Sequence, residues 1–210
     1  MDYELLKNAM ADLDEDAVIE AVEGVMADGG KEAQQAVEAM QEGMKLIGDR
    51  FESGEYFVGD LIYAGEIMTQ TMETLKPALV GESTQKAGRM ILCTVKDDLH
   101  DIGKNIVRAM LEAGGFEVVD LGIDVAPEKI VETAKAENIK IVALSGVLTL
   151  ALDSMKDVVD AFNAAGTRGD VKILIGGAPV SEEACKNVGA DEWAHSPQKT
   201  VEICKTWAGV

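Results

Sequence analysis

The apolar positions of the first 80 or so residues fall at helical spacing. Between Tyr3 and Leu13 they are Leu5, Leu6, Ala9, Met10 and Leu13, one stripe of a helix. A second stripe holds Ala17, Val18, Ala21, Val22, Val25 and Met26. Asp14 or Asp16 stands in front of it as a cap, and Gly29-Gly30 behind it as a stop. A third helix is predicted from about Lys31 to Glu52, with Val37, Met40, Met44, Ile47 and Phe51 inward, and Gly54 breaks it. A fourth runs from about Val58 to Leu75, with Pro77 near its end. Four antiparallel helices with short loops make a bundle over residues 1–80. Residues 81–88 are polar and aperiodic and read as a linker. Beyond them the pattern changes to strand–helix alternation. Strands are predicted at 89–95, 116–121, 139–145, 171–176 and, more weakly, 191–194. Helices are predicted at about 103–114, 127–136, 152–165, 181–188 and 197–207. Such alternation implies a parallel sheet covered on both faces. The expected fold is therefore α/β: a four-helix bundle, then a flavodoxin-like (Rossmann-like) five-stranded parallel sheet over 89–210. The expected strand order is 2-1-3-4-5, with a ligand at the carboxyl ends of the strands.

The stretch from Val95 to Asn105 sits where the first strand gives way to a helix. It holds His100, with Asp98 two residues before it and Gly103 three after. Neutral imidazole is the commonest side-chain metal ligand, and a carboxylate on its second nitrogen fixes the tautomer. Gly103 lets the backbone approach a large flat ligand or turn tightly. Taken alone, the stretch also reads as a helix N-terminus, with Asp98 or Asp101 as the cap and His100 in an exposed loop.

The surroundings decide for a ligand. The run from Ile91 to Val107, with Val119-Asp120-Leu121-Gly122, Leu144 to Thr149 and Ile175-Gly176-Gly177-Ala178 downstream, resembles the cobalamin-binding domain of corrinoid proteins. Among these are cobalamin-dependent methionine synthase and the small corrinoid subunits of methanol and methylamine methyltransferase systems. The likeness continues upstream through Gly48, Phe51, Gly54-Glu55-Tyr56-Phe57 and Ala64. It implies cobalamin or a related corrinoid as cofactor, with His100 as the lower axial ligand of cobalt in place of the cofactor's own base. Asp98 would accept the other imidazole N–H. Asp101 and Ile102 would touch the cofactor. Gly103, Ser145, Gly146, Val147, Thr149, Gly176, Gly177 and Ala178 would line a slot for the displaced nucleotide tail. From the bundle, Phe51, Val58 and Leu61 would cover the upper corrin face, making residues 1–80 a cap. Two positions depart from the pattern. Val147 stands where the family has leucine, and Ala151 stands where methionine synthase has a serine that bonds the aspartate. The relay behind Asp98 is then shortened, or Thr149 or a water takes the serine's place.

By the same resemblance the chain is a methyl carrier. One methyltransferase loads Co(I) from a small methylated substrate, and a second passes the methyl group to tetrahydrofolate or a thiol. A reductive activator fits the same scheme. A chain of 210 residues has no room for a methyltransferase barrel of about 250, so it reads as a component of a larger system. The alternative is a cobalamin-dependent sensor, yet the bundle lacks the tryptophan and the histidine that light sensors of that class carry. A plain flavin or phosphate binder would leave the Asp98–His100 pair without a role.

Composition narrows the partners. The net charge of −19 argues against nucleic acid, which needs a basic face. It suits either solubility or steering toward a basic protein partner. No run of about 18 apolar residues suggests a membrane span, and no signal peptide is visible, so a cytoplasmic protein is expected. Three cysteines at irregular spacing argue against a disulfide framework. His195, without a carboxylate at matching spacing, reads as a loop residue.

Overall fold

The structure is a computed structural model that describes residues 2–79 and 87–210. The expected linker 81–88 lies outside the described residues, apart from Ala87 and Gly88. The described residues group into two compact units, one of helices alone and one built on the sheet.

The helical unit holds α1 (Tyr3–Ala11), α2 (Glu15–Ala27), α3 (Ala33–Glu52) and α4 (Val58–Leu79). Asp2 caps α1 by accepting the N–H groups of Glu4 and Leu5, and Asp14, not Asp16, caps α2 through Ala17 N–H. Gly43 lets α1 approach α3, because a Cβ there would lie 2.6 Å from Met10 Cβ. Most of the predicted stripes are buried, Leu6, Met10, Val18, Val22, Met40, Met44 and Ile47 among them, but Leu5 of the first stripe faces outward at 66% exposure and Phe51 of the third is half-buried. The fourth helix outruns its expected end and takes Pro77 into its last described turn, where the ring forgoes the bond to the Glu73 carbonyl.

The second unit alternates strands and helices: β1 (Gly88–Val95), α5 (Ile102–Ala113), β2 (Phe116–Val125), α6 (Pro127–Ala136), β3 (Ile141–Ser145), α7 (Ala151–Ala164), β4 (Lys172–Gly176), α8 (Glu182–Val188), β5 (Glu192–Ala194) and α9 (Pro197–Ala208). The five strands pair in the expected order β2-β1-β3-β4-β5, all parallel. Alternate residues such as Ile91, Cys93, Leu144 and Ile175 pack with Ile130 of α6 and Met155, Val158 and Phe162 of α7. Their neighbours Leu92, Ala143 and Leu174, which point to the other face, are buried as well. Both faces of the sheet are thus covered, which is why the strands read as near-continuous apolar runs. β2 runs to Val125, four residues past its expected end. Its register against β1 shifts twice, from Leu92↔Asp120 to Cys93↔Gly122 and then to Val95↔Val125. The first shift skips Leu121, and the second sets Ile123 and Asp124 against the single residue Thr94, as bulges do. No described helix is long and apolar enough to cross a membrane.

Candidate functional site

The carboxyl edge of the sheet is a row of small residues in register. Thr94 of β1 lies beside Ser145 of β3, Ser145 beside Gly176 of β4, and Gly176 beside Ala194 of β5. The loop from Lys96 to Asp101 rises from this edge between β1 and α5.

Asp98 is the pivot of that loop. Its side chain is 1% exposed, against 52% for His100. Oδ1 accepts the His100 backbone N–H at 3.0 Å and lies 3.1 Å from His100 Nδ1. Oδ2 accepts the backbone N–H groups of Val147 at 2.8 Å and Leu148 at 3.3 Å, in the loop after β3. Burial pushes the Asp98 carboxyl up, but these bonds outweigh it and hold the group below its ordinary value. The carboxylate therefore stays ionised and can only accept. Nδ1 must carry the proton, and the lone pair of Nε2 is left free for a metal. Asp98 is thus no helix cap: its side chain bonds His100 and the loop after β3, and no amide of α5. Asp101 directly precedes α5 and its side chain accepts from the Asn105 amide at 3.3 Å. Neither Thr149 nor Ala151 reaches Asp98. Asp98 Oδ2 is instead satisfied by the two backbone amides of Val147 and Leu148.

Large apolar side chains stand exposed on this edge. They include Leu99 (65%), Ile102 (67%) and Leu150 (73%), with Ile123, Val147 and Leu148 less so. Exposed apolar side chains grouped in this way mark a surface that a ligand or a partner covers.

The glycines divide into two kinds. Gly177 has φ +121°, and a Cβ there would lie within 1.9 Å of Gly146 O, so it is required by the fold itself. At Gly176 a Cβ would come no nearer than 3.4 Å to Ala194 O, and at Gly103 it would meet nothing within 4 Å. Those two leave room for something to approach the backbone. Ser145 is half-buried in the edge row, and Ala178 is exposed just beyond β4. Phe51, Val58 and Leu61 belong to the helical unit: Leu61 is buried, Phe51 half-buried and Val58 exposed. Beside Val58, Phe57 is 70% exposed. The Gly54-Glu55-Tyr56-Phe57 motif resolves into a corner. Tyr56 Oη donates to Ala11 O and accepts from Arg50, which also reaches Asp12.

Sequence reasoning missed Thr94, Leu148 and Asp124, which complete the loop, and a buried ion pair, Lys104–Asp120 at 2.5 Å, between α5 and β2. Asp124 lies beyond the predicted end of the second strand, and nothing in the sequence pattern points to it.

The donor set suits a corrinoid: one free imidazole nitrogen, exposed apolar side chains on the same edge, and a row of small residues with room at Gly103 and Gly176. Comparison with known proteins agrees. Residues 88–201 match a B12 binding domain family, and residues 3–76 match a second family of the same description. The chain is similar to dimethylamine corrinoid protein 1 of Methanosarcina acetivorans, 36% identical over 95% of this chain and 94% of the relative. Among solved structures it is similar to a cobalamin-binding protein from Desulfitobacterium hafniense DCB-2, with 52% identity, 99% and 98% of the two chains covered and a TM-score of 0.89. It is also similar to the monomethylamine corrinoid protein of Methanosarcina barkeri, with 33% identity, 96% of each chain covered and a TM-score of 0.56.

Proposed function

The chain belongs to the B12-binding proteins, and from that premise we propose that it carries a methyl group between two partner methyltransferases, with His100 as the lower axial ligand of cobalt. The observation that supports this most is the half-exposed imidazole itself. Its Nδ1–H is committed to a buried, ionised Asp98, which leaves Nε2 free at the apolar end of the sheet. When bound, the corrin's cobalt supplies a nucleophilic centre able to take up a methyl group and give it away.

The residues of the chain do the rest. Asp98 fixes the imidazole tautomer and favours a more basic Nε2. Leu99, Ile102, Val147, Leu148 and Leu150 offer an apolar seat that keeps water from the lower face. Gly103, Ser145 and Gly176 leave the backbone open to a nucleotide tail, and Gly177 holds the turn behind them. Phe51, Val58 and Leu61 are proposed as the shielding residues of the helical unit, on the strength of the resemblance. The likeness to methylamine corrinoid proteins supports a small methylated amine as the donor. Tetrahydrofolate or a thiol is the proposed acceptor, through a second methyltransferase, with a reductive activator restoring the carrier.

The test is electron paramagnetic resonance of the Co(II) form, with nitrogen-15 in histidine only. The expected spectrum shows coupling to one protein nitrogen, absent from His100→Ala. Coupling to the cofactor's own base in the unsubstituted protein would overturn the assignment.

A further inference from the structure

The loop that bears Asp98 and His100 is held from behind by two residues outside the histidine motif. Thr94, fully buried near the end of β1, donates its hydroxyl hydrogen to the Asp98 carbonyl oxygen at 2.6 Å. The Asp124 backbone N–H reaches both Thr94 Oγ1 at 2.9 Å and the Asp98 carbonyl oxygen at 3.1 Å. Asp124 Oδ1 accepts the Asp97 backbone N–H at 2.9 Å and meets Lys96 Nζ at 2.5 Å. Asp97 and Asp124 both have left-handed backbone, φ 65° and 53°. A non-glycine residue stays there only when its surroundings over-determine it. Here the two hold each other.

We propose that Thr94 and Asp124 are positioning residues for the axial histidine, locking the Asp98 backbone and so aiming His100 Nε2 before any cofactor arrives. This rests on the reading of His100 as the cobalt ligand. The Asp98 side chain faces forward, to His100 and to the Val147 and Leu148 amides. Its backbone faces back, to Thr94 and Asp124. Three strand ends therefore meet on one residue, and its carboxylate reaches its forward partners together only if the backbone is fixed. The bulges that carry β2 on to Val125 are what bring Asp124 to this point. An unlatched loop would still leave Ser145 and Gly176 in place, because they belong to β3 and β4. Loss of the latch should therefore spare tail binding and disturb ligation.

The experiment uses the full chain loaded with hydroxocobalamin and reduced to Co(II), with histidine labelled by nitrogen-15. In Thr94→Val and Asp124→Ala the fraction of cobalt showing histidine coupling should fall about tenfold, while cobalamin bound per chain stays unchanged. Thr94→Ser and Asp124→Asn, which keep the hydroxyl and a side-chain oxygen, should restore most of it. In the apoprotein, amides of residues 97–101 should exchange about tenfold faster in the first two variants, with β3 and β4 unaffected. If Asp124→Ala does not fold, the near-isosteric Thr94→Val still tests the latch. Full coupling in Thr94→Val would overturn the clamp alone. Uniformly faster exchange together with loss of cobalamin binding would also overturn it, since the two residues would then be general framework. Absence of histidine coupling in the unsubstituted protein would overturn the ligand reading, and the clamp with it.

Discussion

A carboxylate as buried as Asp98 remains ionised because four N–H donors converge on its two oxygens. Asp98→Asn should expose that dependence. An asparagine has one oxygen and one NH2 group, so whichever way the amide turns, its NH2 meets N–H donors. Either His100 or the Val147–Leu148 amides lose their acceptor. We expect cobalamin affinity to fall about 10- to 100-fold and stability to drop about 1–3 kcal/mol, read from a cobalamin titration and a urea transition. Unchanged affinity would mean that Asp98 does not orient the ligand. The glycines give a second comparison. Gly177→Ala should lower the melting temperature sharply, because its Cβ collides with the Gly146 backbone. Gly103→Ala lies in the first turn of α5 with open space around it, and should keep or raise stability by up to about 1 kcal/mol. Its effect should appear in cobalamin binding instead; normal binding by Gly103→Ala would remove Gly103 from the slot. The Asp98-x-His100-x-x-Gly103 spacing was legible because side chains carry it. The second pair of donors to Asp98 was not, because they are the backbone amides of Val147 and Leu148, and any residue supplies those.

At the scale of elements, apolar periodicity was enough to place the helices, the strands and the sheet order. It failed where polar residues do structural work. Gly122 and Asp124 made β2 read as ending at 121, yet bulges carry it on and deliver Asp124 to the histidine loop. Lys104 reads as the solvated face of an amphipathic helix, but its side chain is 3% exposed and bonded to Asp120, which also accepts the Gly122 N–H. Burial pushes the Asp120 carboxyl up, while Lys104, the Gly122 amide and Arg108 outweigh it and hold it below its ordinary value. A depressed folded value gives stability that is fully present above the unfolded value of about 3.9 and is lost as pH falls through it toward the folded one. The apoprotein should therefore hold its urea midpoint from neutral pH to about 5 and lose stability below about 4. Asp120→Asn should flatten that acid limb, and an unchanged limb would show that Asp120 does not contribute to it. Lys104→Met should cost about 3 kcal/mol at neutral pH, because it strands a carboxylate that is largely buried.

For the whole molecule, His100, its latch and the row of small residues all lie in the sheet unit, which has its own apolar core between sheet and helices. A fragment beginning at Ala87 should fold cooperatively and still bind cobalamin. The helical unit has another task under the proposed function, which is to guard the reactive face. Its exposed apolar residues are the ones suited to that: Phe57 at 70%, Val58 and Ile62. Leu61, which the resemblance also names, is 1% exposed. The two sets should separate on substitution. Phe57→Ala and Val58→Ala in the full chain should leave stability nearly unchanged but speed the light-driven loss of the methyl group from methylcobalamin-loaded protein, toward the rate of the fragment. With the cover thinned, the methyl radical escapes before it can recombine. Leu61→Ala should instead cost about 2–5 kcal/mol in the helical unit, the usual result of emptying a core position. Photolysis rates and urea transitions on the same samples decide between them. Equal photolysis in the full chain and the fragment would remove the shielding role and leave Phe57, Val58 and Ile62 to partner docking.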